Sequence, residues 1–385
     1  RLNYRQLASE NFALMEDLLG GERYLDVDFF AEESALVTGL GSELAQSNVL
    51  TPNRNVQEGD RYKYNYIVDA EVYDAFLQSQ FQFKQFDFYT GLSFGTTSYQ
   101  RIGLYENGFF RGDRSFGPGE KLSFTTFAAK TGATYRLSGR HVFTLNAAYF
   151  QNAPTIQNSY SNARQNGDTV EGLTEVKIQT ADISYVFKSP IVSGRVTGFF
   201  TKFQDETDVG FYYTEDLTGL PTANNQNNAF VQEVISGIDR VHYGVEFGVE
   251  AQVLPTFKLK AVGSVGQYLY DSNPDIYLTS QNFPDMKLRF GDGKTEMKNL
   301  RVPGGPEQVL QLGFEYRDPN YWNVGLTANH FSRAFISPSG LLRSDNFALD
   351  TDGIVYNDYD ESTARTILEQ EQFDDYMLLN LVGGK

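Results

Sequence analysis

Cysteine is absent from this chain, and it holds only 3 histidines and 1 tryptophan. Without thiols there is no disulfide, no thiolate metal site and no cysteine nucleophile to consider. The histidines, His141, His242 and His330, lie far apart, and no HExxH spacing joins any of them to a second ligand, so no zinc site is expected. Neither a GxSxG elbow nor a P-loop occurs; FGPGEK at Phe116–Lys121 lacks the GxxxxGK[ST] spacing. No catalytic constellation is expected. Long apolar runs are missing too. Nothing approaches the ~18 residues of a membrane helix, which argues against an α-helical membrane protein but not against a β-barrel. Strands hide their hydrophobicity by alternation, so the mean hydropathy of −0.40 carries no weight for solubility. Basic stretches are also missing. With a net charge of −17 the chain has no patch to neutralise phosphates, and no nucleic-acid partner is expected. Much of the acid falls in irregular segments such as 345–375, as solvated loops do.

Aromatic residues and alternation are abundant: 31 Phe and 24 Tyr, in a chain of 385 residues. The clearest stretch is Val241–Val253. Val241, Tyr243, Val245, Phe247, Val249, Ala251 and Val253 alternate with His242, Gly244, Glu246, Gly248, Glu250 and Gln252. Such alternation specifies a strand with one apolar and one polar face. Soluble strands run about 5–6 residues, and this one is much longer. At ~3.3 Å per residue and ~40° of tilt it covers roughly 30 Å, the thickness of a bilayer core. The apolar face then meets lipid. His242, Glu246, Glu250, Lys258 and Lys260 face a wet lumen, where polar side chains are normal, rather than forming an acid–base pair.

The pattern repeats along the chain. Tyr73, Ala75, Leu77, Phe81 and Phe83 alternate with polar residues; a tight connection at Lys84-Gln85 leads to Phe86, Phe88, Leu92 and Phe94. Further pairs are read at Lys121–Arg136 with His141–Gln151, Val176–Phe187 with Val192–Phe203, Val241–Val253 with Phe257–Tyr270, and Gln308–Arg317 with Tyr321–Phe331; Tyr376–Gly383 begins another strand. Short connections alternate strictly with long polar ones. This is an antiparallel up-and-down meander of about ten to eleven strands, with turns at one end and loops at the other. In the fourth hairpin, Val253 is expected opposite Phe257 across three residues, which places Glu250 opposite Lys260. Tyr316 and Trp322 flank the next turn on the apolar face, where an aromatic girdle meets the membrane interface.

Residues 1–65 alternate poorly. They are read as an irregular loop region with one short helix in Tyr4–Leu19, stopped by Gly20-Gly21, and residues 66–385 as the barrel. Arg1–Asn11 is polar, so an exported protein of this sequence is expected to be a fragment or to have a processed start. Phe211, Tyr212 and Tyr213, with Asn224 and Asn225 beyond them, combine aromatic platforms with amides and are candidates for binding a sugar or peptide. The competing reading is an aromatic strand top continuing Val209–Tyr213. Asp350-Thr351-Asp352-Gly353, with Asp358 and Asp360 nearby, supplies hard oxygen donors for a loop-bound Ca²⁺ but lacks the EF-hand spacing.

Four segments in order carry a resemblance: FGPGEKLSFTTFAAKTGATYRLSGRHVFTLNAAYFQNAPTI (Phe116–Ile156), EGLTEVKIQTADISYVFKSPIVSGRVTGFFTKFQD (Glu171–Asp205), GVEFGVEAQVLPTFKLKAVGSVG (Gly244–Gly266) and DDYMLLNLVGGK (Asp374–Lys385). In the second, Leu173, Glu175 and Lys177 hold a Leu-x-Glu-x-x element, with Thr174 where Pro is common. From Tyr62 onward the chain resembles the C-terminal β-barrel of TonB-dependent outer-membrane receptors, especially those of Bacteroidetes-type bacteria. The resemblance implies part of a barrel of ~22 strands, with the plug domain and coupling box lying outside this chain. It implies energy-coupled uptake of a scarce solute (siderophore, vitamin, glycan or peptide) across the outer membrane of a Gram-negative bacterium. The partners it implies are a TonB complex acting through the plug, outer-membrane lipid, and an extracellular small solute, glycan or peptide. It implies no enzyme activity and no cofactor. A passive porin-like barrel and a soluble β-rich glycan-binding or adhesion module are the alternatives; the last requires the apolar faces to pack on each other.

Overall fold

A computed structural model describes all residues except 35, 216, 218–227 and 351. Its main sheet has 13 strands, each antiparallel to its neighbours. Strand β1 (Leu2–Leu14) leads into a segment holding a two-residue ladder, β2 (Tyr24–Leu25) with β3 (Asn55–Val56). The wall follows as β4 (Arg61–Phe83), β5 (Phe86–Gly103), β6 (Gly117–Arg136), β7 (His141–Asn152), β8 (Val176–Lys188), β9 (Val192–Thr214), β10 (Ala229–Leu254) and β11 (Phe257–Tyr270). A short β12 (Asp275–Thr279) pairs with β10, and β13 (Gln308–Arg317), β14 (Asn323–Ser332) and β15 (Tyr376–Gly384) complete the sheet. The single α-helix among the described residues is α1 (Glu361–Ile367). The sheet is open, with β1 and β15 at its two edges.

The expected helix in Tyr4–Leu19 is not formed. Residues Leu2–Leu14 instead make strand β1, which pairs with β4 from Leu2↔Ala75 to Leu14↔Arg61. The helix-like spacing arises because Leu2 and Tyr4 share a face with Tyr73 and Ala75 while Leu7 sits on the other, opposite Ala70. A two-sided apolar strand imitates a helical stripe, and tertiary pairing decides between them.

Most turn-end boundaries fall within a residue of where alternation places them, although β14 begins at Asn323 rather than Tyr321; loop-end boundaries do not. β4 begins at Arg61, β5 runs on to Gly103, β9 to Thr214, and β10 begins at Ala229. The ladder hydrogen bonds continue past the point where a lipid face demands alternation. Hence Phe211-Tyr212-Tyr213 is strand, not loop, paired with Phe230–Gln232.

The fourth hairpin differs by one residue at its tip. Leu254 pairs with Phe257 across Pro255-Thr256, and Val253 is bulged out of the ladder. Glu250 nevertheless lies opposite Lys260, as expected. The bulge absorbs the extra residue and leaves every face above it unchanged.

The apolar face carries aromatics in two rows. Near the turns Phe86 stacks on Tyr135 at 4.5 Å, Phe143 meets Tyr185 at 4.9 Å, and Tyr316 meets Trp322 at 5.1 Å. Nearer the loops Tyr4 meets Tyr73 at 4.7 Å, Phe127 meets Tyr149 at 6.2 Å, and Phe200 lies opposite Tyr243. From Tyr73 to Phe83 the wall rises about 25 Å, the height of the apolar band of outer-membrane barrels. Among the described residues, outward-facing ion pairs begin on the loop side of the upper row, with Lys121–Glu71 and Lys177–Asp205, each at 2.8 Å.

Candidate functional site

The polar face is kept low by glycines under large side chains. A Cβ on Gly132 would lie 2.3 Å from the Tyr89 ring, and one on Gly91 would lie 2.8 Å from the Lys130 side chain. Tyr89 and Lys130 therefore lie flat along the wall. Tyr89 donates to Asn146 (3.0 Å), whose amide donates to Asp182 (3.0 Å), and the hydroxyls of Ser184 and Thr197 (2.8 Å apart) hold Arg195. Gly132→Leu is expected to lift Tyr89 off the wall and break its bond to Asn146, costing about 1–3 kcal/mol as overpacking does. Urea unfolding of the lipid-reconstituted protein reads this directly.

The expected lumen residues share this face. Glu250 forms its ion pair with Lys258, at 2.8 Å, rather than with Lys260, which reaches Glu315 at 3.1 Å. Glu246 lies opposite Ser264 and Thr197, and His242 packs between the rings of Phe203 (5.1 Å) and Tyr268 (4.9 Å). The acidic side chains are thus spread along a wall, Glu250 and Glu315 paired with lysines, Asp182 bonded to an amide and Glu246 beside hydroxyl side chains.

Over the loop end of this face the long connections fold inward. Tyr99 donates to the carbonyl of Pro154 (2.9 Å), and buried Arg101 donates to the carbonyls of Ala163 (2.8 Å) and Ser115 (3.0 Å). These bonds pin loop 153–175 to the upper wall. Loop 271–307 rises from β11, and its β12 takes over the pairing of β10 at residues 232–236. Leu217, Leu278, Phe283, Leu288, Phe290 and Leu341 from three loops bury together above it. A second apolar cluster joins Ala31 and Ala45 to Phe109 and Phe110.

Between loops 104–116, 153–175 and 271–307 lies a cavity of about 240 Å³. Phe110 and Tyr277 provide rings, and Asn166, Gln232 and Thr279 provide neutral hydrogen-bonding groups. Arg114 is the junction of the three loops. It donates to Asp168 (2.6 Å), Asp285 (2.8 Å) and the Pro284 carbonyl (2.8 Å), and packs over Phe110 at 4.9 Å. Its bond to Asp168 raises the guanidinium above its ordinary range. On the other side Lys287 (2.9 Å) and Arg289 (3.0 Å) converge on Glu171, and both cations lie over the Tyr277 ring, at 5.3 and 4.9 Å. The hydrogen bond from Lys287 lowers the Glu171 carboxyl, while burial raises the Tyr277 phenol.

Of the sequence candidates, Phe211 and Tyr213 project as an exposed strand top, and Phe211 stacks near Phe230 at 6.5 Å. Tyr212 turns to the other face, donates to Glu233 (2.8 Å) and packs against the apolar cluster of Leu278 and Leu341. Burial raises the Glu233 carboxyl, which also accepts from the Leu341 backbone (3.2 Å). None of the three lines the cavity. Asn224 and Asn225 lie outside the described residues. Asp350 accepts from the backbone of Asp352 (3.0 Å) and Ile354 (2.9 Å), and Asp360 caps α1 through Thr363 (2.8 Å). Among the described residues no group of three or more His, Asp or Glu side chains gathers as metal ligands. Arg114, Asp168, Asp285 and Lys287 gave no sequence signal, because they meet across up to 171 residues from irregular loops.

Residues 4–384 match the family model described as TonB dependent receptor-like, beta-barrel. No curated protein matches by sequence. Among solved structures, the chain is similar to the copper transporter OprC, with 12% identity and a TM-score of 0.51 over 83% of this chain and 40% of that one. It is similar to the ferric citrate transporter FecA in its unliganded form, with 11% identity and a TM-score of 0.51 over 86% of this chain and 40% of that one. It is also similar to the ferric-catecholate import receptor Fiu from E. coli K12, with 11% identity and a TM-score of 0.50 over all of this chain and 51% of that one. The chain thus spans between 40% and 51% of the length of these structures.

Proposed function

The chain belongs to the TonB-dependent receptor-like β-barrel family, and from that premise we propose that it serves energy-coupled uptake of a scarce solute across the outer membrane of a Gram-negative bacterium. The inward-folded loops capture the solute from outside. The flat polar face forms one side of its path. A plug in the lumen couples release to a TonB complex in the inner membrane. The chain's own part is binding and passage, with no bond made or broken.

The observation that carries this reading is the cavity under Arg114, set above a polar wall whose large side chains lie flat. A porin-like barrel has no need of three loops locked together over its mouth. A soluble module would bury the two-rowed aromatic face against a second sheet, yet Leu77, Phe94, Val245 and Leu312 are exposed on it.

The test compares cells with and without the gene, measuring which solutes each removes from the medium, before and after a protonophore. Depletion that needs the gene and collapses with the protonophore is expected. Gene-dependent depletion that survives the protonophore would establish the porin reading instead.

A further inference from the structure

The charges around the cavity are not evenly placed. At one end Arg114 faces Asp168 and Asp285, one positive against two negative charges; buried Arg101 beside Asp168 and Glu120 beside Thr169 offset each other, leaving one negative. At the other end Lys287 and Arg289 face Glu171, two positive against one negative, leaving one positive. The two ends are joined by short stretches of chain. Asp285 and Lys287 are two residues apart, and Asp168 and Glu171 three. Two residues of chain span at most about 7 Å and three about 10 Å.

Each end also keeps unused hydrogen-bonding capacity. Asp285 gives only Oδ1 to Arg114, and its Oδ2 has no partner among the described residues. An ionised carboxylate accepts at both oxygens. Lys287 gives one N–H to Glu171 and an ammonium carries three. Between the ends, Phe110, Tyr277 and Met286 offer apolar contact, and Gln232 and Thr279 offer groups for a peptide bond.

We propose that this cavity binds the two charged ends of a short peptide, the ammonium at Asp285 and Asp168 and the carboxylate at Lys287. A zwitterion of two or three residues carries its opposite charges over a span of the same order as the backbone that joins the two ends. A singly charged ligand would engage one end alone and a neutral sugar neither, the unused charges staying in water, since the Asp285 side chain is 88% exposed. Charge-assisted hydrogen bonds are the strong ones, so each end contributes to affinity as well as orientation. The proposal rests on the uptake reading for its biological sense, but binding itself needs no energy coupling.

The experiment uses the full-length protein extracted in detergent and titrated calorimetrically with alanyl-alanine, its N-acetyl form and its C-terminal amide. Alanyl-alanine is expected to bind, and each cap to weaken it about tenfold or more. In Asp285→Asn, acetylation should lose much of its effect while amidation keeps its own. In Lys287→Gln the reverse should hold. A misfolded variant cannot produce that crossed pattern. Failure of alanyl-alanine to bind, equal binding of the capped forms, or displacement of the peptide by a neutral oligosaccharide at equal concentration would overturn the assignment. Any of these would leave protonophore-sensitive depletion untouched, whereas loss of that sensitivity would sink the uptake reading and leave the calorimetry standing.

Discussion

Val249→Lys should cost about 2–4 kcal/mol in a lipid bilayer, whereas Glu246→Lys should cost close to nothing. The two positions lie three residues apart on β10 and on opposite faces. Val249 is midway between Tyr243, in the upper aromatic row, and Leu254 at the turn, and its neighbours across the ladders are Gly194 and Ala261. A lysine there has about half the band to cross before it reaches water, and the cost of a cation is greatest at the midplane. Glu246 lies beside Ser264 and Thr197 on the face the loops cover, where water replaces lost protein contacts. Equilibrium urea unfolding of the full-length protein from liposomes, followed by tyrosine and tryptophan fluorescence, measures both. Should Glu246→Lys prove the costly change, the two faces have been assigned the wrong way round and the barrel reading falls with them.

Glu307→Ala should be the most damaging single change on the loop side, at about 3 kcal/mol. Glu307 is buried, with its side chain 1% exposed, where loop 271–307 returns to β13. Its Oε1 accepts from Arg301 (3.1 Å) and from the Tyr268 backbone (3.0 Å), and its Oε2 accepts from Arg333 (3.0 Å). Both guanidinium groups also pack against the Phe335 ring, at 5.8 and 5.7 Å. One carboxylate thus ties the top of β11, the end of one long loop and the start of the next. Removing it leaves two neighbouring cations without their shared partner and a backbone N–H without an acceptor. Both arginines are partly exposed, which holds the figure at the low end of the range for buried pairs. Glu307→Gln retains the shape and should cost roughly half as much, since a neutral acceptor makes the weaker bond. Limited proteolysis provides the local readout. Cleavage within 271–306 and 333–375 should speed up together in Glu307→Ala, with the turn-end hairpins unaffected. Faster cleavage in one loop alone would mean that the carboxylate does not couple them.

The sequence made the membrane band legible and the roof illegible, for one physical reason. Lipid imposes a single demand on every second side chain, so Val241–Val253 or Phe81–Phe94 can be read without knowing any neighbour. Turn-side boundaries at Phe83, Arg136, Lys188 and Arg317 follow from the same demand. Above the upper aromatic row that demand ends. There β10 continues to Ala229 with Val231, Val234 and Ile235 buried, covered by loops that no local pattern could foretell. The β1 strand shows the same failure from the other side. Leu7 and Leu14 are on the sequence of a strand, but with Leu18 and Leu19 they mimic a helical stripe. At the site, aromatic density pointed to Phe211–Tyr213, which proved to be a strand end. The residues that do meet, Arg114 with Asp168 and Asp285, are charged side chains in polar loops, indistinguishable in sequence from solvated ones until the fold brings them together.

The way β12 is attached bears on how such a surface can change over evolutionary time. Where β11 ends at Tyr270, Asp275–Thr279 takes up its place beside β10, so the largest loop of the roof is laced to the wall by main-chain bonds along Gln232–Ser236. Peptide groups are the same whatever side chains they carry. The seat of the loop is held by main-chain bonds and by the buried side chains of Ile276, Tyr277 and Leu278, while the residues that follow it, from Ser280 to Lys287, supply much of the cavity lining. Mutation can rewrite what the roof presents to the outside without loosening how it is held.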